Sequence, residues 1–133
     1  MSQTPPIRVF VYNEYLPTLS KSAQFMLTQP VEIGMGRVHG YGLYALFNTK
    51  PLAHQNQDKI LYGVLFACGP QTLSFMDHDM GIGVSRTNVK VDMDDKSVVV
   101  AWLHFNKMKV NERDHCYADV FAWNHSKRSL WGD

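Results

Sequence analysis

The chain has 133 residues, of which 45% are hydrophobic and 19% are charged, and its formal net charge is +1. This length suits one domain around a single core, and the apolar fraction excludes a disordered chain. No apolar run approaches the roughly 18 residues of a membrane-spanning helix. The first residues, MSQTPPIRVFVY, lack the pattern of a secretory signal, which predicts a cytoplasmic protein. The near-zero net charge disfavours binding to nucleic acid or to an anionic membrane.

The first half of the chain predicts mainly β-structure. Residues 7–12 alternate apolar side chains in the pattern of a buried strand, and 13–17 form a tight loop that ends at a proline. Residues 20–27 predict a short helix. Residues 31–47 are rich in strand-forming residues interrupted by glycines, which indicates strands with bulges. Residues 50–58 are polar and contain a proline, and therefore predict a surface loop.

The second half predicts further strands around one helix. Residues 60–68 form an apolar strand, and 71–79 have helical character after a Gly-Pro break. Residues 84–93 and 97–105 predict two strands, and Asp-Asp-Lys at 94–96 predicts the hairpin turn between them.

The last segment, residues 111–131, has two interpretations. Asn111 could open a helix, whereas the aromatic residues that follow would also suit a strand. The two cysteines, Cys68 and Cys116, lie in no metal-binding or disulfide pattern and are expected to be reduced thiols. Together, the segments predict a single α+β domain over residues 1–133, with a small mixed β-barrel of about six strands and two or three flanking helices.

Six short motifs along the chain carry a family resemblance. They are VFVYNEYL at 9–16, VHGYGLY at 38–44, ILYGVLF at 60–66, LSFMDHDMG at 73–81, an arginine-bearing strand at 86–91 and AWLH at 101–104. Their types and order resemble the γ-glutamylcyclotransferase-like family, whose fold is a small mixed barrel with flanking helices. The resemblance covers roughly residues 7–105.

The resemblance implies a reaction. Enzymes of this family cyclise a γ-glutamyl group to 5-oxoproline and release the amine that it carried. A carboxylate must take a proton from the substrate ammonium, and backbone N–H groups must hold the oxyanion and the α-carboxylate. The expected partner is therefore a small γ-glutamyl compound, and neither a metal nor a cofactor is expected. The pocket should lie between the loop at 12–16 and the segment at 77–81.

The chain departs from the family at both sides of this pocket. Without gaps, the position of the family's catalytic glutamate holds Met80, and a thioether cannot accept the proton. Asn13 and Glu14 stand where the family has glycine and serine or threonine. Glu14 would repel a substrate carboxylate unless Arg86 or a lysine compensates.

Two functions remain open from the sequence. In the first, the protein is an active cyclotransferase in which Asp79 or Glu14 takes over as the catalytic acid/base. In the second, it is an inactive member that binds a small ligand or a partner protein in the same pocket. The residues expected to contact the substrate are Tyr12, Asn13, Tyr15, Leu16, Met80 and Arg86.

The sequence Asp77-His78-Asp79 also contains residue types that bind metals. Neighbouring side chains on a helix point about 100° apart and cannot chelate one ion from one face. This segment is therefore interpreted as a solvated helix end.

Overall fold

Five strands close into a barrel in the computed structural model, which describes residues 6–48 and 50–130. The strands are β1 (Ile7–Val11), β2 (Val31–Tyr44), β3 (Leu52–Cys68), β4 (Val84–Met93) and β5 (Val98–Asn106). The helices are α1 (Ser22–Met26), α2 (Pro70–Met80) and α3 (Val120–Leu130). The strand order is β1-β3-β2-β4-β5, and a parallel pairing of β5 with β1 closes the barrel. The predicted mixed α+β barrel is confirmed, with five strands instead of about six.

The second half of β2 and the start of β3 form a long antiparallel hairpin, and here one prediction is wrong. Residues 50–58 do not form a surface loop, because β3 already begins at Leu52. Its first residues pair with the end of β2, including Gly42 with His54, and Ala53 also pairs in parallel with Phe105 of β5. Neighbours on both edges thus hold a polar segment in an extended conformation that its own composition does not favour.

The barrel core begins with β1. Val9, Phe10 and Val11 are all fully buried. The strand lies so close to β3 that a Cβ at Gly63 would approach the carbonyl oxygen of Val11 to 2.5 Å. Gly63 is therefore required for the close contact of β1 with β3. This contact fixes the position at which the chain leaves the barrel after Val11.

Helix α2 places its last residue at the mouth of the barrel. Gly69 precedes the helix with extended backbone, and Pro70 occupies the first turn, where a missing N–H has no cost. Gly81 follows with φ +84°, a conformation that favours glycine and turns the chain towards β4. Met80 therefore ends the helix beside the loop that follows β1.

The C-terminal segment becomes helical later than Asn111. The amide of Tyr117 donates to the carbonyl of Leu43 at 2.8 Å, which docks this stretch on β2 in a non-helical conformation. The carboxylate of Asp119 accepts from the amide of Ala122 and so caps α3. The predicted end at Trp131 lies outside the described residues. Within the described part of the chain, no helix has the length and apolar character needed to cross a membrane.

Candidate ligand pocket

A turn follows β1 and shapes one wall of a small cavity. The amide of Leu16 donates to the carbonyl of Asn13 at 3.1 Å, and the amide of Lys21 donates to the carbonyl of Glu14 at 2.9 Å. These bonds fold the loop back on itself before α1. Of the loop N–H groups expected to hold a substrate, that of Leu16 is thus engaged within the loop.

The cavity has a volume of about 30 Å³, enough for one or two water molecules. The residues that line it come from the loop, from the start of β3 and from the end of α2: Asn13, Glu14, Tyr15, Lys21, Lys50, Pro51, Leu52 and Met80. Four of the predicted site residues, Asn13, Glu14, Tyr15 and Met80, therefore lie together, and two lysines join them.

Asp79 lies next to this cavity but is held by two partners. The hydroxyl of Tyr15 donates to Oδ2 of Asp79 at 2.6 Å, and the ammonium of Lys21 lies 3.4 Å from Oδ1. Burial alone would raise the pKa of Asp79, yet the Tyr15 hydrogen bond and the Lys21 charge hold it below its ordinary value. Burial and the adjacent Asp79 carboxylate raise the pKa of Tyr15. Asp79 is therefore an engaged, weakly basic carboxylate that does not line the cavity within the described part of the chain.

Glu14 and Asn13 give the loop wall acceptor groups. Glu14 is one of the residues that line the cavity, and its carboxylate accepts a hydrogen bond from the Ser20 hydroxyl at 2.6 Å in an exposed position. Asn13 is buried, and its amide oxygen has no hydrogen-bond partner among the described residues. An unsatisfied buried acceptor costs about 1–3 kcal/mol, so this amide is poised to accept a donor.

Tyr12 and Leu16 support the loop from inside the protein. The Tyr12 side chain is 1% exposed, its hydroxyl donates to the carbonyl of His104 at 2.6 Å, and it accepts from the amide of Ala53 at 3.0 Å. Burial raises the pKa of this hydroxyl. Leu16 packs in the core. Neither residue lines the cavity.

Arg86 belongs to a separate cluster on the outer side of the barrel. Its Nε lies 2.8 Å from Oδ1 of Asp77, and its guanidinium stacks 4.6 Å above the ring of Trp102. The same Asp77 oxygen lies 2.8 Å from Nε2 of His104, a side chain that is 1% exposed. Asp77 is 41% exposed, so this helix end is solvated as predicted, but one of its carboxylate oxygens also contacts the buried imidazole of His104.

Sequence reasoning missed Lys21, Lys50 and the Asp77–His104 pair. Single lysines in a loop carry no pattern that separates a pocket residue from a solvated one. Asp77 and His104 are distant in sequence and meet because α2 packs near β4, the strand that pairs with β5. Burial lowers the pKa of His104 although Asp77 acts in the opposite direction.

No protein-family model and no curated protein sequence matches the chain. The closed mixed barrel, with a helix after β3 and a loop after β1 at its mouth, is nevertheless the γ-glutamylcyclotransferase-like fold, as solved structures show. An AIG2-like protein from Mus musculus aligns with a TM-score of 0.74 and 14% identity, over 87% of this chain and 88% of its own. A γ-glutamyl cyclotransferase aligns with a TM-score of 0.62 and 14% identity, over 84% of this chain and 72% of its own.

YkqA from Bacillus subtilis aligns with a TM-score of 0.72 and 18% identity over 93% of this chain. The chain spans 43% of the length of YkqA, less than half. The predicted resemblance in fold is thus confirmed.

Proposed function

We propose that this domain binds a small carboxylate-bearing ligand, such as a γ-glutamyl compound, in the pocket beside Met80 and does not cyclise it. The observation that carries the proposal is the position of Met80 on the cavity wall, where the resemblance puts the catalytic glutamate. A thioether contributes apolar contact surface but cannot take a proton from an ammonium group.

The neighbouring carboxylate does not replace the missing base. Both oxygens of Asp79 are engaged, one by Tyr15 and one by Lys21. A general base works best with a pKa near the working pH, whereas these two partners hold the pKa of Asp79 below its ordinary value. Release of Asp79 for catalysis would therefore break a short hydrogen bond and an ion pair.

The cationic side of the pocket favours an anionic ligand group. Lys50 lines the cavity and forms no ion pair with a described residue, whereas Lys21 is paired with Asp79. A carboxylate that reaches the Lys50 ammonium would gain a charge-assisted hydrogen bond. The small cavity limits the group that enters to a few atoms. Two free cysteines fit a reducing compartment, and we include a cytoplasmic location in the proposal.

A second candidate function is cyclisation with Glu14 as the base. Glu14 lines the same cavity, and its side-chain partner among the described residues is the Ser20 hydroxyl. In this case the proton of the substrate ammonium would move to Glu14 on the loop after β1, instead of to a residue at the end of α2.

A binding experiment tests the pocket. Isothermal titration with glutamate and with γ-glutamyl amino acids should give saturable binding to the wild type. Lys50→Ala should weaken it roughly tenfold, because a charge-assisted hydrogen bond contributes about 1.5 kcal/mol. Lys90→Ala, which removes an exposed lysine from β4, is the matched control and should bind like the wild type. Equal affinity of both variants would contradict the pocket assignment.

A turnover experiment separates the two functions. The protein is incubated with γ-glutamyl amino acids, γ-glutamyl amines and glutathione, and 5-oxoproline is followed by mass spectrometry. We expect no release from the wild type and measurable release from Met80→Glu, which returns a carboxylate to the cavity wall. Release by the wild type that Glu14→Gln abolishes and Asp79→Asn leaves intact would overturn the binding proposal in favour of the second candidate.

A further inference from the structure

The cavity beside Met80 is too small for a whole γ-glutamyl compound. Its volume is about 30 Å³, whereas pockets that enclose a small molecule measure about 300–1,000 Å³. A residue at its wall must therefore move before such a ligand can enter. The contact between the loop after β1 and the end of α2 indicates which residue moves.

Donor groups at this wall already hold a carboxylate, which belongs to the protein itself. The Tyr15 hydroxyl donates to Oδ2 of Asp79 at 2.6 Å, and the Lys21 ammonium lies 3.4 Å from Oδ1. Tyr15 and Lys21 both line the cavity, and so does Lys50, whose charge also lowers the pKa of Asp79. A hydroxyl and ammonium groups are donors of the kind that bind a carboxylate ligand. Asp79 therefore occupies donors that the carboxylate of a ligand could use.

Asp79 is better able to move than Tyr15. The Tyr15 ring is 3% exposed and contacts the rings of Phe25 and Phe75, with centroid distances of 5.6 and 5.9 Å. These contacts fix the Tyr15 hydroxyl at the cavity wall. Asp79 lies in the last turn of α2, its side chain is 20% exposed, and Gly81 follows the helix. The Asp79 carboxylate can therefore turn towards solvent while the Tyr15 hydroxyl stays in place.

We infer, on the basis of the proposed binding function, that Tyr15 and Lys21 bind the carboxylate of the ligand and that Asp79 is an autoinhibitory group that occupies them in the free protein. Binding then exchanges one carboxylate for another on the same two donors. Because Asp79 is part of the chain, it competes at a high effective concentration. The apparent affinity is reduced by the fraction of molecules in which Asp79 has left its partners.

The sign of one mutational effect separates this role from a positioning role. If Asp79 held Tyr15 and Lys21 in place for the ligand, its removal would weaken binding. If Asp79 competes with the ligand, its removal strengthens binding.

Isothermal titration with glutamate measures this sign. Asp79→Asn keeps the size of the side chain and removes its charge, and it should bind glutamate about tenfold more tightly than the wild type, which is the contribution of one charge-assisted hydrogen bond. Asp58→Asn removes an exposed carboxylate from β3 and is the matched control, which should bind like the wild type. Glutaramide, an uncharged probe of similar length, should gain no affinity from Asp79→Asn.

A double variant tests whether Lys21 is a group that Asp79 occupies. Lys21→Ala should weaken glutamate binding more strongly in the Asp79→Asn background than in the wild-type background, because the wild-type ammonium is already paired. Equal effects of Lys21→Ala in both backgrounds would overturn the inference.

A measurement on the wild type does not depend on the folding of a variant. Saturating glutamate should raise the pKa of Asp79 in a carbon-13 NMR titration, because the two groups that stabilise its charge turn to the ligand. An Asp79 pKa that glutamate leaves unchanged, or equal or weaker glutamate binding by Asp79→Asn, overturns the inference while the proposed binding function stands. If glutamate binds neither the wild type nor Asp79→Asn, both the inference and the binding function are wrong.

Discussion

The carboxylate of Asp77 connects α2 to the barrel, and its removal makes a quantitative test of this packing. Oδ1 of Asp77 accepts from Nε of Arg86 and from Nε2 of His104, both at 2.8 Å. His104 is buried, and its Nδ1 has no partner among the described residues. Nε2 therefore carries the proton, and Asp77 is the acceptor that satisfies it.

Asp77→Ala should reduce the free energy of unfolding by about 2–3 kcal/mol. A buried donor without an acceptor costs about 1–3 kcal/mol. The lost contact with Arg86, whose side chain is 30% exposed, adds at most about 1 kcal/mol because solvent screens it. Asp77→Asn keeps an acceptor oxygen and should cost about 1 kcal/mol.

Urea denaturation at pH 7.5 measures these differences. In thermal melts, the alanine variant should lose roughly 6–15 °C in Tm for a domain of this size. Asp58→Ala removes an exposed carboxylate from β3 and should stay within about 0.5 kcal/mol of the wild type. Equal destabilisation by Asp77→Ala and Asp58→Ala would refute the reasoning, since the buried imidazole would then not depend on its acceptor.

Three further predictions follow from pKa shifts and close contacts. Because burial holds the pKa of His104 below its ordinary value of 6.5, the unfolded chain takes up this proton first. The free energy of unfolding should therefore be steady above about pH 6.5 and fall at lower pH, and His104→Gln should flatten this slope in denaturant titrations. Gly63→Ala should cost more than about 3 kcal/mol or prevent folding, because its Cβ would lie 2.5 Å from a carbonyl oxygen of β1. Gly34→Ala, with 3.5 Å to its nearest neighbour, should fold with a similar melting curve to the wild type. Tyr15→Phe removes the hydrogen bond to Asp79 and should raise the pKa of that carboxyl in a carbon-13 NMR titration, and an unchanged pKa would contradict the described contact.

The sequence predicts the strands that carry an apolar pattern. Residues 60–68 and 84–93 are examples, because their own side chains favour a strand buried on one face. The polar start of β3, residues 52–58, is extended because of partners on β2 and β5 that no local pattern reveals. The start of α3 shows the same limit, since the contact of Tyr117 with Leu43 excludes a helix from Asn111.

The candidate pocket is predictable to a similar degree. The loop after β1 and the end of α2 are adjacent in the fold that the motifs resemble, and Asn13, Glu14, Tyr15 and Met80 line one cavity. The long-range partner of a charged side chain is not predictable in this way. Arg86 pairs with Asp77 of α2 on the outer side of the barrel, and the packing of α2 near β4 that brings the two together is not visible in the local sequence pattern.

The hydroxyl of Tyr12 has a consequence for how the pocket loop becomes ordered during folding. It joins the amide of Ala53 at the start of β3 to the carbonyl of His104 on β5, partners 41 and 92 residues away in the chain. Both partners are far from Tyr12 in the sequence and lie on β3 and β5. These bonds can therefore form only after the barrel has closed. The loop that begins at Asn13 should therefore lose its structure when the whole domain unfolds and not by local fraying. The Ala53 amide should accordingly exchange with deuterium only through unfolding of the whole domain. Its exchange rate therefore reports whether the pocket loop is still ordered.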